Sequence, residues 1–270
     1  MFRIRKPINK NFSIILGIVS IVFLCMSYLY LAHERKQENP NDTTIPNFIQ
    51  FKEGVGKIFT PDRNEEVWIW EDSKATLTRL VVGMGLGILL SVVLGTMMGC
   101  WAFVESLLYP PLSILAKVPA TAAMAVFFVL VGSEMPMFAS IVAFTVTPTL
   151  AIAVFLSIKD IPEQTINKSY TLDASIWEMI SNVIVPMVVP KILENIRLVI
   201  GAAIIVLIAA EMLISDVGFG YRIRIEGRKL NMNIVYVYLM FLALYGYAFD
   251  YFLKFTQSKL CPWSGERHDH

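Results

Sequence analysis

The chain has 270 residues, 56% of them hydrophobic, and a formal net charge of +1. A soluble domain is usually about 45–50% apolar, so the excess excludes an ordinary soluble domain and points to an all-α polytopic membrane protein. The near-zero charge argues against a nucleic-acid partner, and the three cysteines, Cys25, Cys100 and Cys261, are too scattered for a disulfide framework or a zinc site.

The first apolar run, residues 12–32, follows Arg3, Arg5, Lys6 and Lys10. It is longer than the hydrophobic core of a signal peptide. Tyr30 stands where a small residue would be needed for cleavage after Ala32. It reads as an uncleaved first membrane helix with its basic N-terminus in the cytoplasm. Residues 33–74 form the only long polar segment, with Pro40, Pro46 and Pro61. Within it Phe48, Phe51, Val55, Ile58 and Phe59 make a helical stripe. A short helix on the membrane surface or on the bundle is expected there, with a plain loop as the alternative. "GVGK" in this segment has Phe51 where a phosphate-binding loop needs glycine, so no nucleotide site is expected.

Five more runs reach the roughly 20 residues that span a bilayer: 80–104, 106–133, 135–158, 198–215 with an extension over 191–197, and 230–249. About six spans place both termini on one side. The domain reading is a membrane helix over 1–34, an extracytoplasmic segment over 35–74, a transmembrane domain over 75–258 with a cytoplasmic loop at 159–190, and a polar tail over 259–270. The tail's His268-Asp269-His270 reads as a frayed end and not as a metal site. In the second run Gly83, Gly87, Ser91, Gly95 and Gly99 recur every fourth residue. Such a strip lets another helix backbone approach closely, which is what drives packing in lipid.

The segment 163–186 interrupts the apolar runs. Ile166, Tyr170, Trp177, Ile180 and Ile184 form an apolar stripe, with Asn167, Lys168, Ser175, Glu178, Ser181 and Asn182 off it. Ser175-x-x-Glu178 fits a capping box, so a helix is expected to begin near Ser175 after a turn at "TLD". Helix, turn, helix on the cytoplasmic face is the reading: either an amphipathic element lying in the headgroups or a docking element for a cytoplasmic protein.

Spacing in this segment resembles the E-A-A loop of ABC importer permeases. Asn167, Lys168 and Ser169 stand at the E-A-A positions, Asp173 at the glycine, and Val183, Val185 and Pro186 at the closing I-x-L-P, with the first four letters changed. "TLTRLVVGMGLGILLSVVLGTMMG", "YPPLSILAKVPATAAMAVFFVLVG" and "PKILENIRLVIGAAIIVLIAAEML" followed by "GFGY" resemble core helices of nitrate/sulfonate/taurine-type permeases. The resemblance covers about residues 75–255. It implies a type I importer core in a bacterial inner membrane, multi-pass, with both termini cytoplasmic. It also implies a second permease copy (a homodimer), cytoplasmic ATPase subunits and an extracytoplasmic solute-binding protein. Asn167, Lys168, Ser169, Asp173, Ser175, Trp177, Glu178 and Pro186 would then form the ATPase-coupling element. Asp173 is expected at a positive-φ turn, its carboxylate near the N–H of Ser175 or Ile176.

Charges inside spans cost a few kcal/mol by insertion scales and so ask for a reason. Lys117 could attract an anion, snorkel or pair with a loop acid. Arg79 is expected at the outer interface. Glu194 and Arg197 are three apart and can pair along a helix. Glu211 could cap the exit turn, bond the backbone of "GFGY", or act at a gate. Lys117, Arg197, Glu211 and Tyr221 are the candidate path or gate residues. Ser113, Thr121, Thr145, Thr147 and Thr149 are candidates for a polar path wall, unless they bond their own helices. No nucleophile–base set lies mid-span, so no catalytic residue, cofactor or enzyme activity is expected; ATP hydrolysis would belong to a partner. The alternative is a secondary transporter or channel working without an ATPase, although no midplane acid pair or matched repeat supports it. The resemblance implies a small polar or anionic solute, of the nitrate, sulfonate, taurine or bicarbonate kind, as the cargo.

Overall fold

A computed structural model describes residues 9–38, 44–61 and 67–263. Arg3, Arg5, Lys6, Pro40, His268 and His270 lie outside the described residues. The described chain is helical: α1 Lys10–Glu38, α2 Phe48–Phe59, α3 Trp68–Cys100, α4 Ala102–Leu115, α5 Ala120–Val131, α6 Met135–Lys159, α7 Glu163–Thr171, α8 Ile176–Met179, α9 Val185–Ile214, α10 Phe219–Arg228 and α11 Met232–Leu260, with a π-helical turn at Ile180–Ile184 joining α8 to α9. Among the described residues five helical stretches are long and apolar enough to cross a membrane; α4 and α5, bent by 101° at their junction, make either a broken sixth span or a re-entrant loop.

α6 is the centre. Ile141, Val142, Val146, Leu150 and Val154 along it are buried between α3 and α9. The strip on α3 explains how it gets so close. A Cβ on Gly83 would stand 2.6 Å from Val142, one on Gly87 2.9 Å from Val146, and one on Gly95 2.6 Å from the Ala151 carbonyl. Gly99 meets Ile158 in the same way, and the Ser91 hydroxyl donates to the Thr147 carbonyl of α6 at 3.2 Å. Helix backbones in lipid gain contact this way where exclusion of water gives nothing.

The second span starts twelve residues before 80, at Trp68. Its first turns are polar, and they are ordered because Asp72, Ser73 and Thr76 are buried against other helices. The run 106–133 is not one straight helix. Pro119 drives Val118 out of the helical region, and α5 restarts after it. α1 has its apolar stretch exposed, which suits lipid contact. It is pinned near its end by the Tyr28 hydroxyl, which donates to the Pro46 carbonyl at 2.8 Å.

α2 is a real helix, capped by a reciprocal Asn47–Gln50 box. It packs on the start of α11: Ile58 is fully buried, and a Cβ on Gly54 would lie 2.6 Å from the Asn233 carbonyl. The first glycine of "GVGK", Gly54, is therefore a close-approach residue, whereas Gly56 faces open space. Phe48 on the same stripe stays exposed.

Candidate functional site

One end of the bundle carries α7, α8 and the π-turn; the other carries α10. At the first end, α7 closes in a Schellman motif. The Asp173 N–H donates to the Tyr170 carbonyl at 3.0 Å and the Ala174 N–H to the Ser169 carbonyl at 3.2 Å. Asp173 takes the left-handed position, φ +57°. α8 then opens with the expected capping box. The Glu178 N–H donates to the Ser175 hydroxyl at 3.3 Å, while the Ser175 N–H and hydroxyl donate to the Glu178 carboxylate at 2.9 and 2.7 Å. Those bonds hold the Glu178 carboxyl below its ordinary range. They also correct one expectation: the partner of the Ser175 N–H is Glu178 and not Asp173.

The apolar stripe of this segment divides. Ile184 is buried and Ile166 and Ile180 are half-buried against the bundle, joined by buried Met179. Tyr170 and Trp177 of the stripe are exposed, as are Leu172 and Ile176 beside them; Leu172 at 82% and Trp177 at 73% stand free, while Tyr170 and Ile176 rim a cleft that runs in to Trp101 and Ile158. Asn167 and Lys168 are exposed beside them, and Ser169 is buried with its hydroxyl on the Thr165 carbonyl. The segment thus has a rooted face and a free apolar face.

Its root is a weak place in a helix. Pro186 has no N–H for the Asn182 carbonyl, and there the chain takes a π-turn, with the Val185 N–H reaching back to the Ile180 carbonyl. α9 runs on from it to Ile214 with Pro190 inside it.

At the opposite end four helices share a buried polar lock. Glu211 of α9, with no exposed surface, accepts from Arg79 at 2.8 Å, from the Thr76 hydroxyl at 2.9 Å and from the Gly220 N–H at 3.0 Å. Asp72 of α3 accepts from Arg222 at 2.9 Å, from the Tyr238 hydroxyl at 2.6 Å and from the Gly218 N–H at 2.9 Å. The two carboxylates are therefore both paired and multiply bonded, the condition for tolerating buried charge. Arg79 stacks over Phe138 and Arg222 over Trp68. Hydrogen bonding to Asp72 raises the Arg222 guanidinium above its ordinary range against the opposing effect of burial.

Both glycines of the exit turn are required by this arrangement. Gly218 sits at φ +120°, and a Cβ there would strike the Glu211 carboxylate at 2.7 Å; one on Gly220 would overlap the Ile208 carbonyl. Tyr221 is half-buried, beside Arg222 and Arg224.

Arg79 turns into the bundle, 12% exposed, onto Glu211 and the Val217 carbonyl. Glu194 and Arg197 do not pair with each other. Arg197 donates to Asp250 of α11 at 2.7 Å, and Glu194 accepts from Gln257 at 3.2 Å. The helix spacing allowed a pair, but α11 packs alongside and supplies better partners. No local pattern in the sequence signals Asp72, Arg222 or Tyr238 as a set, since they lie on three different elements.

Between the two ends, the α4–α5 bend faces α6 and α9 across a groove of about 380 Å³, in which Thr145 and Thr149 are the polar side chains. The Thr145 hydroxyl bonds its own helix at Ile141. Thr147 is turned elsewhere, its hydroxyl buried without a partner among the described residues. Lys117 lies exposed in the bend and makes no ion pair among the described residues. Ser113 is half-buried and Thr121 exposed.

Residues 87–260 match the family described as binding-protein-dependent transport system inner membrane component. The taurine transport system permease protein TauC of Escherichia coli (strain K12) is 24% identical over 222 residues, covering 82% of this chain and 81% of that protein. The nitrate import permease protein NrtB of Synechocystis is 26% identical, covering 70% and 68%. The putative aliphatic sulfonates transport permease protein SsuC of Bacillus subtilis is 28% identical, with the same coverage. Among solved structures, an inward-facing MetNI methionine ABC transporter superposes with a TM-score of 0.62 at 15% identity, over 71% of this chain and 97% of that one.

Proposed function

The chain belongs to the binding-protein-dependent transport system inner membrane component family and has the type I ABC importer permease fold; from that premise we propose that it carries a small oxyanion-bearing solute across the inner membrane, driven by a separate cytoplasmic ATPase. It is a multi-pass transport subunit. Taurine, nitrate and aliphatic sulfonates, the solutes in the relatives' names, share a compact anionic group. Lys117 suits such a cargo. A cation facing lipid at mid-span would cost about 2.5–3.5 kcal/mol, and among the described residues it has no carboxylate to offset this. A water-filled path shared with a second copy of the chain would remove that cost. An extracytoplasmic solute-binding protein would deliver the cargo at the α10 end.

The observation that carries the reading is the free face of 170–177. Four exposed apolar side chains stand on a segment built as a Schellman turn and a capping box, and its other face is rooted in the core. A helix merely resting in headgroups needs no such shaped turn. A groove on an ATPase would cover these side chains, and α9 would carry the movement into the bundle.

Trp177 is the residue to test. It lies in the first turn of α8, where proline is tolerated, so a charge is the more informative change. Trp177→Glu is expected to leave expression and thermal stability within about 0.5 kcal/mol, as for other exposed sites. Capture of the ATPase from mild detergent should fall at least tenfold. Wild-type capture by this variant would remove the docking role.

A further inference from the structure

We infer that Trp263 is a positioning residue for coupling: its indole N–H holds the hinge between the loop segment and α9. The inference rests on the reading of 163–186 as the ATPase-coupling element.

The starting point is a gap in the helix ladder. Pro190 lies inside α9 and has no N–H. The carbonyl four residues earlier, that of Pro186, therefore has no helical donor. Pro186 in turn has none for Asn182. Two donors are missing within the stretch where the loop joins the span, next to the π-turn. A helix with such gaps bends easily there. Movement of the loop would be lost as bending at 182–190 and would not reach α9 beyond Pro190.

The gap at Pro186 is filled from far along the chain. Trp263, just past the end of α11, donates its Nε1–H to the Pro186 carbonyl at 3.1 Å. The end of α11 is itself fixed. Cys261 is buried and its N–H bonds the Gln257 carbonyl at 2.9 Å, while the Gln257 side chain donates to Glu194 of α9. One turn further, Arg197 meets Asp250, which also pairs with Lys254. These contacts form a row between α9 and α11, with the indole as its last member nearest the loop. α11 at its other end supplies Tyr238 to the Asp72 lock. The same helix thus braces α9 beside the loop and ties into the lock at the α10 end.

The test uses the full chain in lipid nanodiscs and four proteins: parent, Trp263→Phe, Pro190→Ala and the double variant. Trp263→Phe keeps the ring and loses only the N–H. Backbone hydrogen exchange over 179–189 is expected to speed up about fivefold, the factor a neutral hydrogen bond is worth. Pro190→Ala restores an N–H at the helical position for the Pro186 carbonyl, so in that background Trp263→Phe should change nothing. An equal effect of Trp263→Phe in both backgrounds, or none in the parent, overturns the latch.

A second arm reads transmission. Asp216→Cys is added at the α10 end, and its thiol labelling above the native cysteines is followed in the ATPase-bound complex with and without ATP plus orthovanadate. Trp263→Phe should capture the ATPase normally, lose the nucleotide-dependent change in labelling, and regain it with Pro190→Ala. A parent that captures no ATPase overturns the coupling reading and the latch's role with it. A parent and Trp263→Phe that respond equally to nucleotide overturn the latch alone.

Discussion

Arg79 and Lys117 are both cations within the apolar runs, yet among the described residues Arg79 has a carboxylate beside it and Lys117 has none. Arg79→Met strands the fully buried Glu211 carboxylate. Breaking such a pair costs about 3–5 kcal/mol, so the unfolding midpoint in detergent should fall sharply. Lys117→Met strands nothing, and its midpoint should match the parent; what it should lose is uptake of the anionic solute. Equal stability losses in the two variants would mean that Lys117 has a structural partner in the assembly. Asp173 makes a second comparison. It occupies the left-handed C′ position of a Schellman turn, which costs a residue with a Cβ roughly 1–2 kcal/mol. Asp173→Gly should keep or raise stability and retain ATPase capture. Asp173→Val should lose capture, because a β-branched side chain resists that conformation. A Val variant that docks normally would show that the turn does not set the loop's shape. The positive φ was legible from the chemistry of aspartate and its place in the pattern. The partner of the Ser175 N–H was legible as well, because a capping box itself puts the Glu178 carboxylate on that N–H and leaves Asp173 no claim to it.

Helix α3 shows what a periodic pattern says about an element. The every-fourth small strip is readable in sequence, and α6 is what lies against it. Gly95→Leu would drive a side chain into the Ala151 carbonyl and Val154. Overpacking of this kind costs about 1–3 kcal/mol, and expression with folded yield should drop accordingly. Leu86→Phe, on the exposed face of the same helix, should be tolerated. Equal yields would mean that α3 and α6 separate without penalty. The start of α3 and the α4–α5 bend lie at the other extreme. Hydropathy marks where a chain is apolar, so it passed over the polar first turns of α3 and read 106–133 as one span. Trp68–Arg79 is helical because its polar side chains find partners on α9, α10 and α11, and that information is spread over 150 residues of sequence.

Across the whole molecule, the two ends of the bundle must face opposite sides of the membrane. Glu53 is exposed on α2 beside the α10 end, and Lys168 is exposed on α7 at the other. Glu53→Cys is expected to react with an impermeant thiol reagent in intact cells, beyond the native cysteines, and Lys168→Cys only after permeabilisation. The reverse pattern would turn the protein over and place α2 in the cytoplasm. Labelling of both from one side would contradict the bundle itself. The basic start of the first helix supplies the expected direction; the packing of α2 on α11 supplies the requirement that the two sites differ.

Sequence alone determined the class of the protein, its apolar runs, the small strip of α3, the interruption at 163–186 and the family to which these motifs point. Those are local or periodic properties, and lipid makes them strong, because a bilayer demands long apolar helices with their backbone groups satisfied internally. Tertiary structure alone decided which charges pair. Glu211 with Arg79, Asp72 with Arg222 and Tyr238, Arg197 with Asp250, and Trp263 with Pro186 each join residues more than fifty positions apart. In a low-dielectric interior a buried charge or orphan carbonyl must find a partner. Which partner it finds depends on how the helices lie beside one another, and no spacing along the chain encodes that.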